Sequence, residues 1–312
     1  MKRRDFIQKT AASTALVGLG LAPLCSAAPR VSKSSFESSK SKHLTVLHTN
    51  DVHSYIDPFP PNHPKSPNRG GVARRASLIE SIRQENPNVL LLDAGDIFQG
   101  TPYFNYYGGE LELKLMSMMK YDLATLGNHD FDNGIDGFYS QRHHANFDFV
   151  SANYNFDNTV LNGIVKPYKI IHKNGIKIGI FGLGIELAGL VDKKNYKETV
   201  YLNPVEIAKD MTRILKKEKC DLIICLSHIG YQYKNEPDKI SDLKLASLTK
   251  DIDLIIGGHT HTFLDKPTVL KNADGKDVLV NQVGCYGINL GRIDFYFEED
   301  NSKISQGKSI IV

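Results

Sequence analysis

The sequence predicts an α/β fold in which strands and helices alternate along the chain and pack in layers. Short, continuous apolar runs recur, each followed by turn residues, as is typical of strands buried on both faces. Amphipathic helical patterns lie between several of these runs. The predicted strands are Leu44–Thr49, Val89–Leu92, Leu123–Leu126, Phe147–Val150, Leu222–Leu226 and Leu254–Ile256.

The intervening segments supply helices and hairpins. Apolar residues at helical spacing predict helices over Val72–Arg83, Leu111–Met119 and Val205–Leu215. The pairs Asn174-Gly175 and Asp274-Gly275 predict hairpin turns within Val165–Gly182 and Thr268–Asn281. Closing strands are expected at Ile288–Glu298 and Ile304–Val312. We therefore expect a mixed sheet, or two sheets sandwiched between helices.

Composition excludes several classes of protein. The 312 residues are 41% apolar and 23% charged, which excludes a disordered, collagen-like or small disulfide-rich chain. The net charge of +3 belongs to residues 1–27, since the remainder carries 34 basic and 34 acidic residues. Because the rest of the chain has no net charge, its charge gives no reason to expect a nucleic-acid polymer or an anionic membrane as partner. We also expect no membrane span.

The N-terminus predicts export to the periplasm or beyond. Residues 1–27 combine a basic start, a mildly apolar segment and the small residues Ser26-Ala27-Ala28, as in a secretory signal peptide. The pair Arg3-Arg4, with Phe6 after it, favours the twin-arginine route over general secretion. Residues 28–42 are predicted to be a flexible tether, and 43–312 a catalytic domain.

The cysteines predict no disulfide framework. Cys25 lies in the leader, where lipidation is an alternative that Leu24 disfavours. Three cysteines remain, an odd number: Cys220, Cys225 and Cys285. We interpret them as buried thiols that pack as small apolar groups.

Metal-binding residue types follow five of the predicted strands. Because the carboxyl ends of parallel strands share one edge of a sheet, these residues are expected to converge. They are Asn50-Asp51-Val52-His53, Asp93-Ala94-Gly95-Asp96, Gly127-Asn128-His129-Asp130-Phe131-Asp132, Ser227-His228 and Gly257-Gly258-His259-Thr260-His261.

This mixture suits two neighbouring divalent ions, which need a bridging carboxylate, terminal histidine and carboxylate ligands, and open positions for water and substrate. The spacing in Asp51-Val52-His53 places two ligands on one side of an extended loop, and His259-Thr260-His261 repeats it. Adjacent glycines allow the backbone to approach the ions closely.

The five motifs in this order resemble the calcineurin-like metallophosphatases, and within them the 5′-nucleotidase group, over about residues 43–298. The stretches Leu47–His53, Asp93–Asp96 with Gln99-Gly100-Thr101, and Asn128–Asp132 carry the likeness to the nucleotidase group. The resemblance implies a four-layer αββα sandwich of mixed sheets.

The resemblance also implies roles for individual residues. One ion, Zn, Mn or Fe, is expected to be bound by Asp51, His53, Asp96 and His261. The second is expected at Asp96, Asn128, His228 and His259, with Asp96 bridging both. His129 and Asp132 are the expected catalytic dyad. Two divalent ions outweigh the two carboxylates, so a bridging hydroxide is available to attack phosphorus.

The expected function is therefore that of an exported dinuclear-metal phosphoesterase that acts on a small phosphorylated substrate, a nucleotide. Family nucleotidases carry a C-terminal specificity domain, which is expected to be absent here, so a separate polypeptide is one candidate for base recognition. The alternatives are a broader phosphatase, a cyclic phosphodiesterase or a sulfur-ester hydrolase of the same family. An inactive metal-bound binding subunit is the alternative from another class, and the complete ligand set argues against it.

Overall fold

The computed structural model describes residues 42–299 and 302–312. The predicted signal peptide, and the tether up to residue 41, lie outside the described residues. Within the described ranges, no helix combines the length and the apolar character needed to cross a membrane.

Fourteen strands are formed by the described residues. They are β1 Lys42–Thr49, β2 Val89–Asp93, β3 Leu123–Ala124, β4 Asp148–Phe149, β5 Tyr154–Asn155, β6 Tyr168–Lys173, β7 Ile176–Gly184, β8 Val200–Tyr201, β9 Leu222–His228, β10 Leu254–Ile256, β11 Thr268–Lys271, β12 Asp277–Asn281, β13 Asn289–Phe297 and β14 Lys303–Ile311.

Seven α-helices connect them in the described part of the chain. They are α1 Val72–Glu85, α2 Pro102–Tyr107, α3 Glu110–Met118, α4 Gly134–Gln141, α5 Lys193–Tyr196, α6 Pro204–Lys217 and α7 Asp242–Leu248. Single 3₁₀ turns cover His129–Phe131 and Arg142–His144.

The strands form two six-stranded mixed sheets. The first has the order β14-β13-β1-β2-β3-β4, and the second has the order β11-β12-β10-β9-β7-β6. β5 and β8 pair separately. In the first sheet β1, β2, β3 and β4 run parallel, and in the second β7, β9, β10 and β12 do so.

Three apolar clusters mark the interfaces of the predicted four layers. Successive residues of a strand point to opposite faces and so belong to different clusters. In β9, Leu222 and Ile224 lie in the cluster between the two sheets, while Ile223 and Cys225 lie in the cluster that faces α6 and α7. The third cluster packs Ile79 and Leu113, from α1 and α3, on the first sheet. Continuous apolar strands are therefore needed here, because both of their faces are buried. The predicted αββα sandwich is confirmed.

The predicted elements agree with the structure except at short segments. β3 ends at Ala124 rather than Leu126, because the amide of Thr125 already turns to donate to the Asp93 carbonyl. Helices α2, α4, α5 and α7 were not predicted, since each is only four to eight residues long and too short to show a clear period. Cys220, Cys225 and Cys285 are free and buried, as expected.

Candidate metal centre

The parallel strands bring the predicted site residues to one edge of the two sheets. In the first sheet Thr49 pairs with Asp93, and Asp93 pairs with Ala124, so β1, β2 and β3 end at the same level. In the second sheet β9 and β10 run parallel and end in His228 and Ile256. The loops that follow these strands meet, as their positions in the sequence predicted.

Six of the seven predicted metal ligands form two groups of donors. Asp51, His53 and His261 make the first group, and Asp96, His228 and His259 make the second. Within each group the donor atoms lie within 4.8 Å of one another. Asn128, the seventh, joins the second group because its Oδ1 lies 2.9 Å from Nδ1 of His259.

Asp96 lies between the two groups. Its Oδ2 is 3.0 Å from Nε2 of His228, in its own group, and 3.7 Å from Nε2 of His53, in the other. In the first group, Oδ1 of Asp51 is 3.3 Å from Nε2 of His261 and 3.9 Å from Nε2 of His53. A single carboxylate oxygen is therefore within reach of both donor groups, which is the arrangement that a bridging ligand requires.

Backbone carbonyls orient two of the imidazoles. Nδ1 of His228 donates to the Ala94 carbonyl over 2.7 Å, and Nδ1 of His53 donates to the Phe98 carbonyl over 3.3 Å. A carbonyl oxygen only accepts, so each ring carries its proton on Nδ1 and presents the Nε2 lone pair to the centre.

The donor atoms are arranged to bind cations rather than to hydrogen-bond to one another. Nε2 of the fully buried His228 makes no well-oriented hydrogen bond, and its one close polar neighbour is Oδ2 of Asp96 at 3.0 Å. Nε2 of His53 faces Nε2 of His261 at 3.0 Å. Burial lowers the pKa of His228, but the charge of Asp96, its hydrogen-bonding contact with Nε2 and the charge of Asp51 outweigh burial and raise that pKa to about 10 without a bound ion. A proton on Nε2 then occupies the place where a bound cation would use the lone pair. The centre thus favours positive charge, and divalent ions match its mixture of imidazole and carboxylate donors.

The side chains of His129 and Asp132, the residues of the expected dyad, lie within hydrogen-bonding distance of each other. Nδ1 of His129 lies 2.8 Å from Oδ2 of Asp132, and this hydrogen bond is the largest contribution that raises the pKa of His129. The ring of His129 stands edge-on to that of His53, with centroids 5.2 Å apart. The side chain is 38% exposed, so substrate can reach it from solvent.

Comparison with known proteins identifies the family. The sequence profile of calcineurin-like phosphoesterases matches residues 44–263. The chain belongs to the calcineurin-like phosphoesterase family. The family is one of metal-dependent phosphoric ester hydrolases, and its dependence on divalent metals agrees with the two donor groups.

Curated relatives lie in the nucleotidase group. The snake venom 5′-nucleotidase of Crotalus adamanteus is 34% identical over 308 residues, which cover 92% of this chain and 50% of that protein. The trifunctional nucleotide phosphoesterase protein YfkN of Bacillus subtilis is 36% identical over 289 residues, which cover 82% of this chain and 18% of that protein. The chain thus spans about half the length of the venom relative.

Solved structures give the same assignment. A 5′-nucleotidase precursor from Thermus thermophilus superposes with a TM-score of 0.78 at 33% identity, covering 87% of this chain and 55% of that one. The calcineurin-like phosphoesterase YfkN from Bacillus subtilis superposes with a TM-score of 0.69 at 29% identity, covering 87% and 91%.

Asp130 is an important residue that sequence reasoning named only as part of a motif. Its Oδ2 accepts from the amides of Asp96 and Gly127, and its Oδ1 accepts from those of Ile97 and Phe98. One buried carboxylate therefore fixes the loop that carries Asp96 to the loop that carries Asn128. Burial, reinforced by the charge of Asp96, raises the pKa of Asp130 to about 7.

Asn50 and Asp93 hold the remaining loops. Nδ2 of Asn50 donates to Asp51 over 2.6 Å and to the Gly284 carbonyl over 2.7 Å. Asp93 accepts from the amide of Gly95 and from the hydroxyl of Thr49. The motif residues outside the ligand set thus fix the loops that carry the ligands.

The ligand loops contain backbone strain that no sequence pattern revealed. Five of the seven predicted ligands have a left-handed backbone, with φ between 49° and 71°: Asp51, His53, Asp96, His259 and His261. Each such residue costs about 1–3 kcal/mol and is retained where the surrounding structure enforces it, typically at functional sites. The hydrogen bonds made by Asp51 and by Asp130 hold the ligand loops in this strained backbone conformation.

Proposed function

We propose that the chain hydrolyses phosphate esters of nucleotides at a centre of two divalent ions. Asp51, His53, Asp96 and His261 bind one ion, and Asp96, Asn128, His228 and His259 bind the other. The observation that carries the proposal is the position of Asp96, whose Oδ2 lies within 4 Å of donor atoms from both groups.

The residues of the chain set the charge of the centre. Asp51 and Asp96 are its two anionic ligands, while the imidazoles and the Asn128 amide are neutral donors. Divalent ions bound there supply a net positive charge that attracts a phosphoryl group and acidifies water. His228, a ligand of the second group, is held in place by its hydrogen bond to a backbone carbonyl. Its ring therefore does not have to reorient during the reaction.

His129 is the proposed proton donor to the leaving oxygen. Asp132 engages Nδ1 of its ring, which leaves Nε2 as the atom that can hydrogen-bond a phosphoryl oxygen or transfer a proton. The backbone amide of His129 donates to Oδ1 of Asp96, so the dyad is fixed relative to the metal ligands.

Nucleotides are proposed as the substrate class because the relatives named above act, by their names, on nucleotides. The same names argue against a broader phosphatase or a sulfur-ester hydrolase, and the complete donor set argues against an inactive binding subunit. A separate polypeptide for base recognition finds no support in the structure or in the comparisons.

The test is a substrate panel with the purified chain, reconstituted with Mn²⁺ or Zn²⁺. Mononucleotides, cyclic nucleotides, UDP-sugars and an aryl phosphate are compared by phosphate release or product chromatography. We expect the highest kcat/KM among nucleotides. In Asp96→Asn we expect kcat/KM to fall roughly 100-fold or more, because that change weakens the ligand shared by both groups. Hydrolysis of the aryl phosphate alone would refute the proposed substrate class.

Export is proposed from the leader, whose residues lie outside the described structure. Replacing Arg3 and Arg4 by Lys should leave precursor in the cytoplasm if the twin-arginine route is used. Lys9→Arg, which keeps both the pair and the charge, is the control. Normal export of the Arg3→Lys, Arg4→Lys variant would exclude that route, and retention of every form would exclude export.

A further inference from the structure

One aromatic residue contacts all three residues of the first donor group. The ring of Tyr286 lies 5.9 Å from that of His53 and 5.8 Å from that of His261, centroid to centroid. Its backbone amide donates to the carbonyl of Asp51 over 2.7 Å. Tyr286 therefore forms one wall beside the first proposed metal position.

Three further rings continue outward from Tyr286. Tyr55 lies 4.3 Å from it, and Phe59 lies 5.1 Å from Tyr55 and 6.1 Å from Tyr286. His63 follows, 4.4 Å from Phe59. We call Tyr55, Phe59, His63 and Tyr286 the aromatic cluster. It begins beside the first donor group, at Tyr286, and continues from ring to ring to His63.

The segment that carries Tyr55, Phe59 and His63 is stiff. Residues 50–71 form a 22-residue connection between β1 and α1 that contains five prolines, and a connection of this length is usually functional. The amide of Phe59 donates to the Arg69 carbonyl over 2.8 Å, and Nδ1 of His63 accepts from the amide of Ser66. Proline-rich segments held in this way lose little entropy when a ligand binds.

Tyr286 is held in a costly conformation. Its φ is 62°, in the left-handed region that a bulky side chain rarely adopts, and the neighbouring Gly284 and Gly287 also have positive φ. Such strain is retained where a side chain must occupy one particular place. Here that place is against the two imidazoles of the first group.

Packing alone does not account for the aromatic cluster. Core rings of this chain, such as Phe98 and Phe138, are 1% exposed. All four members of the aromatic cluster are instead partly exposed, so they offer ring surface to solvent beside the metal positions. Partly exposed, rigid aromatic surface is what a planar ligand needs for stacking.

We propose that the aromatic cluster is the subsite for the planar ring of the substrate's leaving group, the base of a nucleoside phosphate. The inference rests on the proposed function, because it places the phosphoryl group at the two donor groups. A nucleotide then extends from the donor groups past Tyr286, and its base lies against Tyr55 and Phe59. Base recognition is in this way supplied by the catalytic domain itself.

The experiment compares two substrates that differ by the base alone. Adenosine 5′-monophosphate and ribose 5-phosphate are assayed with the metal-loaded wild type, Phe59→Leu and Tyr55→Leu. Neither residue is a proposed metal ligand. Loss of a stacking ring should lower kcat/KM for the nucleotide by roughly 10-fold more than for ribose 5-phosphate. Metal content and melting temperature are measured for every variant.

Tyr296→Leu is the matched control. Tyr296 stacks on His43 at 4.5 Å, where β1 begins, so the change removes an equivalent stacked ring at the opposite end of the strands. We expect its ratio of the two kcat/KM values to equal that of the wild type. Equal losses for both substrates in Phe59→Leu and Tyr55→Leu, or no loss for either, would overturn the subsite.

Binding of adenosine separates this inference from the proposed function. If the wild type hydrolyses neither phosphate, the proposed function fails, and adenosine binding measured by saturation-transfer NMR decides the subsite. Binding that is lost in Phe59→Leu supports it. Absence of adenosine binding to the metal-loaded wild type overturns it.

Discussion

The backbone amide of His129 donates to Oδ1 of Asp96 over 2.8 Å. This hydrogen bond engages one oxygen of the central carboxylate and leaves Oδ2 facing His53 and His228. It also fixes the proposed proton donor to the ligand shared by both metal positions. Because a main-chain group makes the bond, the side chain of His129 can be changed without releasing Asp96.

His129→Ala should therefore lower kcat while both metals stay bound. Loss of a general acid or of a transition-state contact costs roughly 10²–10³-fold in rate. Asp132→Asn should cost less, since Asp132 orients the ring. The measurements are kcat, metal content and melting temperature, with a mononucleotide and an aryl phosphate as substrates.

The leaving group separates the two roles of His129. If the ring donates a proton, the loss should be smaller for the aryl phosphate, whose leaving group needs no proton. Equal losses for both substrates would assign the ring to phosphoryl stabilisation. Loss of metal or unfolding of His129→Ala would contradict both roles.

Gly127→Ala should disrupt the centre. An added Cβ would lie 2.2 Å from Oδ1 of Asp96 and 2.7 Å from Cε1 of His228, so both ligands would have to move. We expect metal content to fall below half of the wild-type value, measured by mass spectrometry of the metals. Gly163→Ala is the control for metal content: its Cβ meets nothing within 4 Å, and its φ of 68° makes the change costly to the fold without touching a ligand. Wild-type metal content in Gly127→Ala would show that the ligand loops are softer than their hydrogen bonds indicate.

Asp130→Asn should destabilise the protein as well as the centre. An amide nitrogen cannot accept the hydrogen bonds that one carboxylate oxygen now receives from two backbone amides. Leaving buried donors unpaired should lower the free energy of unfolding by about 2–4 kcal/mol, and metal affinity should fall roughly 10–100-fold. Denaturant unfolding and metal titration measure these effects. Asp157→Asn, at an exposed turn, is the control, and a similar stability for both variants would refute the role of Asp130.

A pH-dependent contribution is predicted at Asp294, far from the metal ligands. Burial acts to raise the pKa of Asp294, but hydrogen bonds from Thr45, Arg292 and His43 outweigh it and hold the pKa below 3.8. A lowered pKa stabilises the fold above pH ~4 and loses that effect as pH falls through the lowered value.

Asp294→Asn should therefore be less stable than the wild type at pH 7, by about 1 kcal/mol for a lost charge-assisted hydrogen bond. The difference should shrink as pH falls below ~4, where the carboxylate of the unfolded wild-type chain becomes protonated, and should vanish below the lowered pKa of the folded state. Denaturant unfolding at several pH values measures it. A difference that stayed constant from pH 7 to pH 3 would contradict the assignment.

The sequence predicted the residues that come together, because metal-binding types followed strands whose ends must share an edge. Asp51, Asp96, Asn128 and His259 illustrate this, since each stands shortly after a buried strand. The structural role of Asp130 was not predictable in the same way. Its four partners are backbone amides on two loops, and backbone amides leave no trace in residue types.

Tyr286 shows a second limit of sequence reasoning. Its contacts with His53 and His261 join three loops that are far apart in the chain, and its left-handed φ is set by that packing rather than by local preference. Propensity favours glycine at such a position. Only the tertiary structure shows that a tyrosine is held there.

The most direct test of the proposed centre is the metal stoichiometry of the reconstituted chain. Inductively coupled plasma mass spectrometry of the wild type should give close to two equivalents of metal after removal of unbound ions. His261→Ala, which removes a ligand of the first group alone, should retain about one equivalent, while Asp96→Asn should lose most of both. A stoichiometry near zero in the wild type, or one equivalent that is unchanged in His261→Ala, would contradict a two-ion centre at these residues.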